Sequence, residues 1–439
     1  MATAIVLFPS LNLRAQDSTP TPAASDATQD QSSADSTNAK PQLRFGDDKT
    51  VMEPAKDVSE PAAENSNLGV GDFSPSHFHV TASVREGYDD NVYATTINPV
   101  SSFFTEGSVQ LDYNFGSPRT TFNIEALAGG TYYYNRPFGQ KYDVNDALTL
   151  GLEHHATPRL TLSTTAYATY QSEPDFFNNQ LGINRVGGNF FYTSDKFSAS
   201  YLWSPRFSTV TSYTLEAIHY DEAAIGAYED RFDHTFGNEF RYLVVPTTAA
   251  VAEYRYEFVD YETAILNSNT HFLLGGFDHS FNPHFNMSLR AGAEFREFDE
   301  IDFGERTSPY GEVTVNYSGA HRSSVSFNAR YGLEEPDVPN TASRTTFRTG
   351  ITAGYGIAPR FTATGSVFYE HDDNESFTGP FIFVPQFDED LLDIGIGLRY
   401  EINRVFALIG GYDYTEDFSD IHFREYTRDR YYLGASVTF

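Results

Sequence analysis

The densest run of hard oxygen donors in the chain is Glu370-His371-Asp372-Asp373-Asn374-Glu375. Carboxylate and amide oxygens this close together suit calcium or magnesium, so Asp372, Asp373, Asn374 and Glu375 are the candidate metal ligands. The run lacks the glycine and the ligand spacing of an EF-hand loop, and a solvated acidic loop is the competing reading. His219-Tyr220-Asp221-Glu222 is a weaker cluster of the same kind. Apart from a loop-bound divalent cation, no cofactor is expected. Nucleophilic catalysis would need a Ser or Asp held against a His. His154 and His155 lie beside Pro158, and the 12 histidines are scattered without a spacing that singles out such a set. The chain is therefore read as a non-enzyme, with an outer-membrane hydrolase as a remote alternative. The absence of Cys removes disulfides, thiolate metal sites and thiolate nucleophiles.

A second group of charged residues is arranged by period rather than by cluster. Arg85, Arg255, Arg290, Arg296, Arg330 and Arg399, together with Glu253, Glu257, Glu294 and Glu401, occupy the polar positions of segments that alternate with a two-residue period. Such alternation makes a strand with one apolar face. In Ser324 to Leu333, the residues Val325, Phe327, Ala329, Tyr331 and Leu333 form the apolar face, and Ser324, Ser326, Asn328, Arg330 and Gly332 the polar one. Phe285 to Arg296 and Leu392 to Glu401 repeat the scheme. Charge on the inward positions implies a wet interior, where mixed signs can line a transport path or pair across strands.

These strands come in hairpins. Short connections such as Ser117-Pro118-Arg119, Thr157-Pro158-Arg159, Ser204-Pro205-Arg206 and Ala358-Pro359-Arg360 recur roughly every 40 residues, the length of two membrane-crossing strands and a loop. Between them lie longer, often acidic connections, of which His371 to Asp388 is the longest expected. Short turns at one end and long loops at the other are the asymmetry of an outer-membrane barrel. Nine long connections give about 18 antiparallel strands, with 16 as the alternative, in a transmembrane up-and-down all-β barrel. Aromatics at 15% suit strands and interface girdles. With a negative mean hydropathy and no long apolar run after the N-terminus, the sequence excludes a transmembrane helix. A soluble sandwich or chain of β-domains is the competing architecture.

Three segments follow. Residues 1–15 read as a signal peptide; the missing positive region and Leu13, where a small residue usually precedes the cut, leave two readings, a truncated start or a cut elsewhere. Residues 16–77, rich in Ser, Thr, Ala, Pro, Asp and Gln, read as a disordered periplasmic tail. Residues 78–439 are the barrel. The net charge of −31 argues against nucleic acid and favours divalent cations or basic ligands.

The barrel opens with Val84-Arg85-Glu86-Gly87-Tyr88-Asp89-Asp90-Asn91-Val92-Tyr93. The segment Tyr88, Asp89, Asp90, Asn91, Val92, Tyr93 resembles the opening strand of the β-barrel porin type 2 family. Asp89 and Asn91 continue the inward face of Arg85, or end the strand as turn formers. The chain ends on Tyr431, Leu433, Ala435, Val437 and Phe439, an alternating strand with a terminal Phe, which looks like the signal read by the barrel-assembly machinery of Gram-negative bacteria. The resemblance implies a bacterial outer-membrane protein, often linked to exopolysaccharide export, and brings no catalytic residues. The expected function is a porin-like channel or export conduit for polar solutes, including saccharide. The alternative is a structural component without an open pore that docks a periplasmic export partner. The expected partners are outer-membrane lipid, the assembly machinery, polysaccharide and that export partner.

Overall fold

The computed structural model describes residues 78–173, 187–262, 266–299, 305–319, 322–338, 341, 343–375, 377–378, 383–384, 386–421 and 424–439. The signal peptide expected at 1–15 and the tail expected at 16–77 lie outside the described residues.

The strands are β1 (Phe78–Asp89), β2 (Ser102–Gly116), β3 (Thr120–Tyr133), β4 (Tyr142–Thr157), β5 (Leu160–Gln171), β6 (Phe190–Ser204), β7 (Phe207–Tyr220), β8 (Arg231–Val245), β9 (Thr248–Tyr261) and β10 (Ser268–Asn282). They continue with β11 (Phe285–Phe298), β12 (Arg306–Gly319), β13 (Ser323–Glu334), β14 (Arg344–Ala358) and β15 (Phe361–Asn374). The last are β18 (Phe387–Glu401), β19 (Phe406–Ser419) and β20 (Tyr426–Thr438), after the two-residue strands β16 (Phe377–Thr378) and β17 (Phe383–Val384), which pair only with each other. Among the described residues one short helix, α1 (Ala223–Glu229), interrupts the β7–β8 connection. No helix among the described residues is long and apolar enough to cross a membrane.

Eighteen of the strands form one antiparallel sheet that closes on itself where β1 pairs with β20, from Thr81↔Thr438 to Asp89↔Arg430. Closure is what makes the sheet viable in lipid, since each strand satisfies its N–H and C=O groups on both sides. Both ends of the sheet, Phe78 and Phe439, lie at the end carrying the short turns; Phe78 pairs with Tyr113 beside the turn at Pro118. At the seam the strands approach closely. A Cβ on Gly434 would collide with the Val84 carbonyl, and one on Gly87 with the Phe104 ring and the Tyr431 carbonyl.

The two-residue period sorts the side chains. Val84, Val109, Phe236, Ile351, Ile396, Leu398, Tyr431 and Leu433 stand exposed on the outer wall. Their neighbours Arg85, Glu253, Arg290, Glu294 and Arg348 are buried inside. An apolar exterior round a polar interior is inside-out relative to a soluble β-protein and is the order required where lipid is the solvent.

Two expectations are corrected here. Leu333 was placed exposed on the lipid face; its pairing with Thr345 keeps it on that face, but it is only 4% exposed. The β12–β13 pairing ends at Gly311↔Tyr331, whereas the β13–β14 pairing runs on in register to Glu334↔Arg344. The run from Glu370 to Asn374 was placed in an outer loop and instead forms the end of β15. A strand sends successive side chains to opposite faces. Glu370, Asp372 and Asn374 are accordingly buried, while His371 and Asp373 stand on the other side of the wall.

A charge on the outer wall tests this orientation. Ile396→Arg, near the middle of β18, is expected to destabilise the folded barrel by about 2–4 kcal/mol. Reversible urea unfolding in lipid vesicles measures the loss.

Candidate functional site

The interior of the barrel is a network of ion pairs. Arg290 reaches Asp278 at 2.8 Å, Glu253 at 3.3 Å and Glu239 at 3.4 Å. Arg255, also bonded to Glu253, spans two intervening strands to Glu312 at 2.8 Å and to the Tyr310 hydroxyl at 3.1 Å. Arg330 lies 5.6 Å from the centre of the Tyr310 ring and 3.4 Å from Glu334. Glu294 accepts the Leu333 amide at 2.6 Å, and Arg85 pairs with Glu106. Toward the short-turn end, Arg399 donates to Ser436 at 3.2 Å and Glu401 receives Arg322 at 3.2 Å. Between these groups lies a cavity of about 280 Å³ whose lining includes Tyr167, Glu216, Asp233, Glu253, Arg290 and Glu312.

The outer mouth is drawn inward by loop residues that seek the arginines of the wall. Glu335, in the β13–β14 loop, binds Arg296 of β11 at 2.9 Å and accepts the Tyr261 hydroxyl of β9 at 2.7 Å, so this loop crosses the inner face of four strands. Asp337 in the same loop, fully buried, bridges Arg344 of β14 and Arg424 of the β19–β20 loop, each at 3.4 Å. Arg344 also holds Asp372 at 2.8 Å, and Arg348 donates to Glu370 at 2.5 Å. From α1, Glu229 pairs with Arg231 at 3.3 Å. Burial pushes the Glu229 carboxyl well above the usual carboxylate range against the pull of Arg231 and Arg344, and Asp337 adds to the rise.

The Tyr88–Tyr93 segment is the clasp of the seam. Tyr88 packs edge-on against Phe103 on the outer wall, with ring centres 5.2 Å apart. Asp89, fully buried, accepts Arg428 of β20 at 2.5 Å and lies 3.5 Å from Arg430. Asp90 accepts the Asp429 amide at 2.8 Å. The Asn91 amide group donates to the carbonyls of Thr95 and Thr427, each at 2.9 Å, while its backbone N–H donates to Asp89 at 2.9 Å. Val92 is buried with Phe104, Tyr133 and Tyr432, and the Tyr93 hydroxyl bonds the backbone of Phe138. Asp89 thus has both roles weighed from the sequence, an inward charge and a turn acceptor. Arg428 also carries Glu173 of the β5–β6 loop at 3.0 Å. Burial alone would raise Glu173, but Arg428 and Arg430 hold its carboxyl below the usual range.

The four metal candidates do not converge. Asp372 is taken by Arg344 and Thr346, Asp373 accepts Gln386 at 2.9 Å, and Glu375 pairs with Arg306 at 2.6 Å. His154 and His155 sit at the end of β4 beside the turn, bonded to Thr120 and Thr161. Several inner residues were missed from the sequence. Arg344, Thr346 and Arg348 alternate with Thr345 and Phe347, so the same period would have found them. Glu173, Glu335 and Asp337 lie in loops that carry no such signal.

A closed 18-stranded antiparallel barrel with a lipid-facing apolar wall and a charged lumen defines an outer-membrane β-barrel of the porin class. A family model described as "Putative beta-barrel porin 2" matches residues 77–439, and the chain belongs to that family; its place is the bacterial outer membrane. No curated protein matches the sequence. Among solved structures, the outer membrane protein opdK of Pseudomonas aeruginosa is 10% identical over 82% of this chain and 99% of its own, with a TM-score of 0.43. OccAB4 of Acinetobacter baumannii is 12% identical over 83% and 99%, at 0.41. OccK2 of P. aeruginosa, solved in complex with glucuronate, is 9% identical over 83% and 96%, at 0.43.

The clasp is testable by stability. Arg428→Ala leaves Asp89 buried without its main partner and is expected to cost about 3–5 kcal/mol. Arg404→Ala, at an exposed turn, is expected to change the urea midpoint little, within about 0.5 kcal/mol.

Proposed function

We propose that the barrel is a channel for small polar solutes, with saccharides as the favoured class, passing between carboxylates and guanidinium groups of the lumen. The observation that carries this reading is the inner cavity, lined by both signs of charge and by the hydroxyl-bearing rings of Tyr167, Tyr192 and Tyr310. Such a surface exchanges hydrogen bonds with a hydroxylated solute in place of water, and aromatic faces give the sugar ring an apolar contact. The strongly acidic chain gives the pathway a negative field, so permeant cations are favoured over anions.

A second reading is favoured by the inward loops. Glu335, Asp337 and Arg424 tie three parts of the wall together across the outer mouth, as a plug would. On that reading the barrel is a docking component that opens only with an export partner bound.

One recording separates the two. The full chain in planar bilayers under a salt gradient is expected to give steps whose reversal potential favours cations; an anion-favouring potential rules out the electrostatic part of the proposal. Glu335→Ala with Asp337→Ala is expected to widen the mouth and raise the single-channel conductance. Silence from the folded wild-type barrel, with steps only in the double variant, would make the plugged reading the right one.

A further inference from the structure

His219 at the end of β7, Asp230 just before β8 and Glu262 just after β9 meet at one point of the outer rim. The register brings them there. Ile218 of β7 is opposite Arg231 of β8, and Arg231 is opposite Tyr261 of β9. Those three point into the barrel and are buried. One residue further toward the long-loop end, His219, Asp230 and Glu262 come opposite one another, His219 and Glu262 exposed and Asp230 buried beneath them at 7% exposure. The Glu262 amide donates to the Asp230 carbonyl at 3.0 Å, so the ladder still holds at this level.

We propose that these three side chains form a binding site for a borderline divalent cation of the zinc type. One donor atom from each residue lies within 4.8 Å of those of the other two. Asp230 is already set: its Oδ1 accepts the Tyr220 amide at 2.8 Å, and its Oδ2 stands 2.6 Å from His219 Nδ1. A backbone N–H on the far oxygen fixes a carboxylate ligand in orientation, as outer partners do in metal sites. His219 and Glu262 are exposed and can adjust. Donors around a tetrahedral zinc, with bonds of about 2.0–2.2 Å, stand roughly 3–3.5 Å apart, so a small opening of the His219–Asp230 contact admits the ion. One imidazole with two carboxylates suits zinc, whereas calcium takes six to eight oxygens, more than the trio supplies. Three protein ligands leave a fourth position for water on the exposed side.

The site bears on the lumen without touching it. Asp230 caps α1, its amide donating to the Gly226 carbonyl at 3.0 Å, and the preceding residue is Glu229, which reaches Arg231 inside the mouth. An ion held by Asp230 would therefore pin the C-terminal end of α1.

The test is zinc titration of the folded full-length chain in detergent against a competing chelator dye, comparing wild type with His219→Ala, Glu262→Gln and, as a control, Asp221→Asn. Asp221 is a neighbouring acid outside the trio, bonded to Tyr170. Loss of an outer partner alone weakens metal sites roughly 10–100-fold, so loss of a ligand is expected to cost at least that. The expected result is one zinc per chain in wild type and in the Asp221 variant, lost from the other two, with no displacement by excess calcium. No uptake by wild type, equal uptake by all four chains, or displacement by calcium overturns the proposal.

Discussion

Everything in this molecule depends on the pairing of β1 with β20. An open sheet of 17 ladders would leave two strands with unpaired N–H and C=O groups in hydrocarbon, each costing several kcal/mol. The pairing that prevents this joins segments more than 330 residues apart, so its loop-closure cost is among the largest the chain can incur. It is accordingly reinforced at the outer end by the buried Asp89–Arg428 pair, by Asp90 on the Asp429 amide, and by the Asn91 side chain on the Thr427 carbonyl. Glycines at 87 and 434 let the two backbones come close enough to be so joined. The Tyr88–Tyr93 segment is thus explained by closure rather than by a ligand.

Once the sheet is closed, the period of two has no freedom left. Each side chain is sent to lipid or to the lumen, and any charge among the inward positions is enclosed with the others. Enclosed charges must find partners, because an unpaired ion away from water is costly. The arginines and carboxylates of β8 to β15 satisfy one another across one, two and three strands. Several of these pairs join groups under 10% exposed, for which the effect of deletion is large even when the net contribution of the pair is small. Stiffening and solute passage are therefore not separate assignments of the same residues. The pairs that brace the wall also supply the donors and acceptors that a polar solute would meet.

How much of this was legible in the sequence follows from the same geometry. The strand number, the turn and loop ends, and the inward setting of residues such as Arg290 and Arg296 are local properties of a two-residue period and were readable. The metal reading failed for an instructive reason. Asp372, Asp373 and Asn374 were grouped because they are adjacent in sequence, but in a strand adjacent residues face opposite ways. His219 was grouped with Asp221 and Glu222 on the same basis, whereas its partners Asp230 and Glu262 flank the ends of β8 and β9, where only register reveals them. The inward course of the β13–β14 loop was equally invisible, since no pattern in Glu335 or Asp337 says that a loop will bend to a distant arginine.

That loop sets the remaining tension in the structure. A channel needs groups that bind a solute weakly enough to release it. Glu335 and Asp337 instead hold Arg296, Arg344 and Arg424 in contacts of 2.9–3.4 Å between largely buried groups. Such contacts resist motion singly, but each has an alternative on the wall: Arg344 keeps Asp372, Arg424 keeps Glu389, and Arg296 has Glu257 nearby. Withdrawal of the loop therefore exchanges partners for the arginines rather than leaving them bare. The larger cost falls on Glu335 and Asp337 themselves, which water at the outer mouth can resolvate. The pairs within the wall itself, such as Arg348 with Glu370, do not depend on the loop.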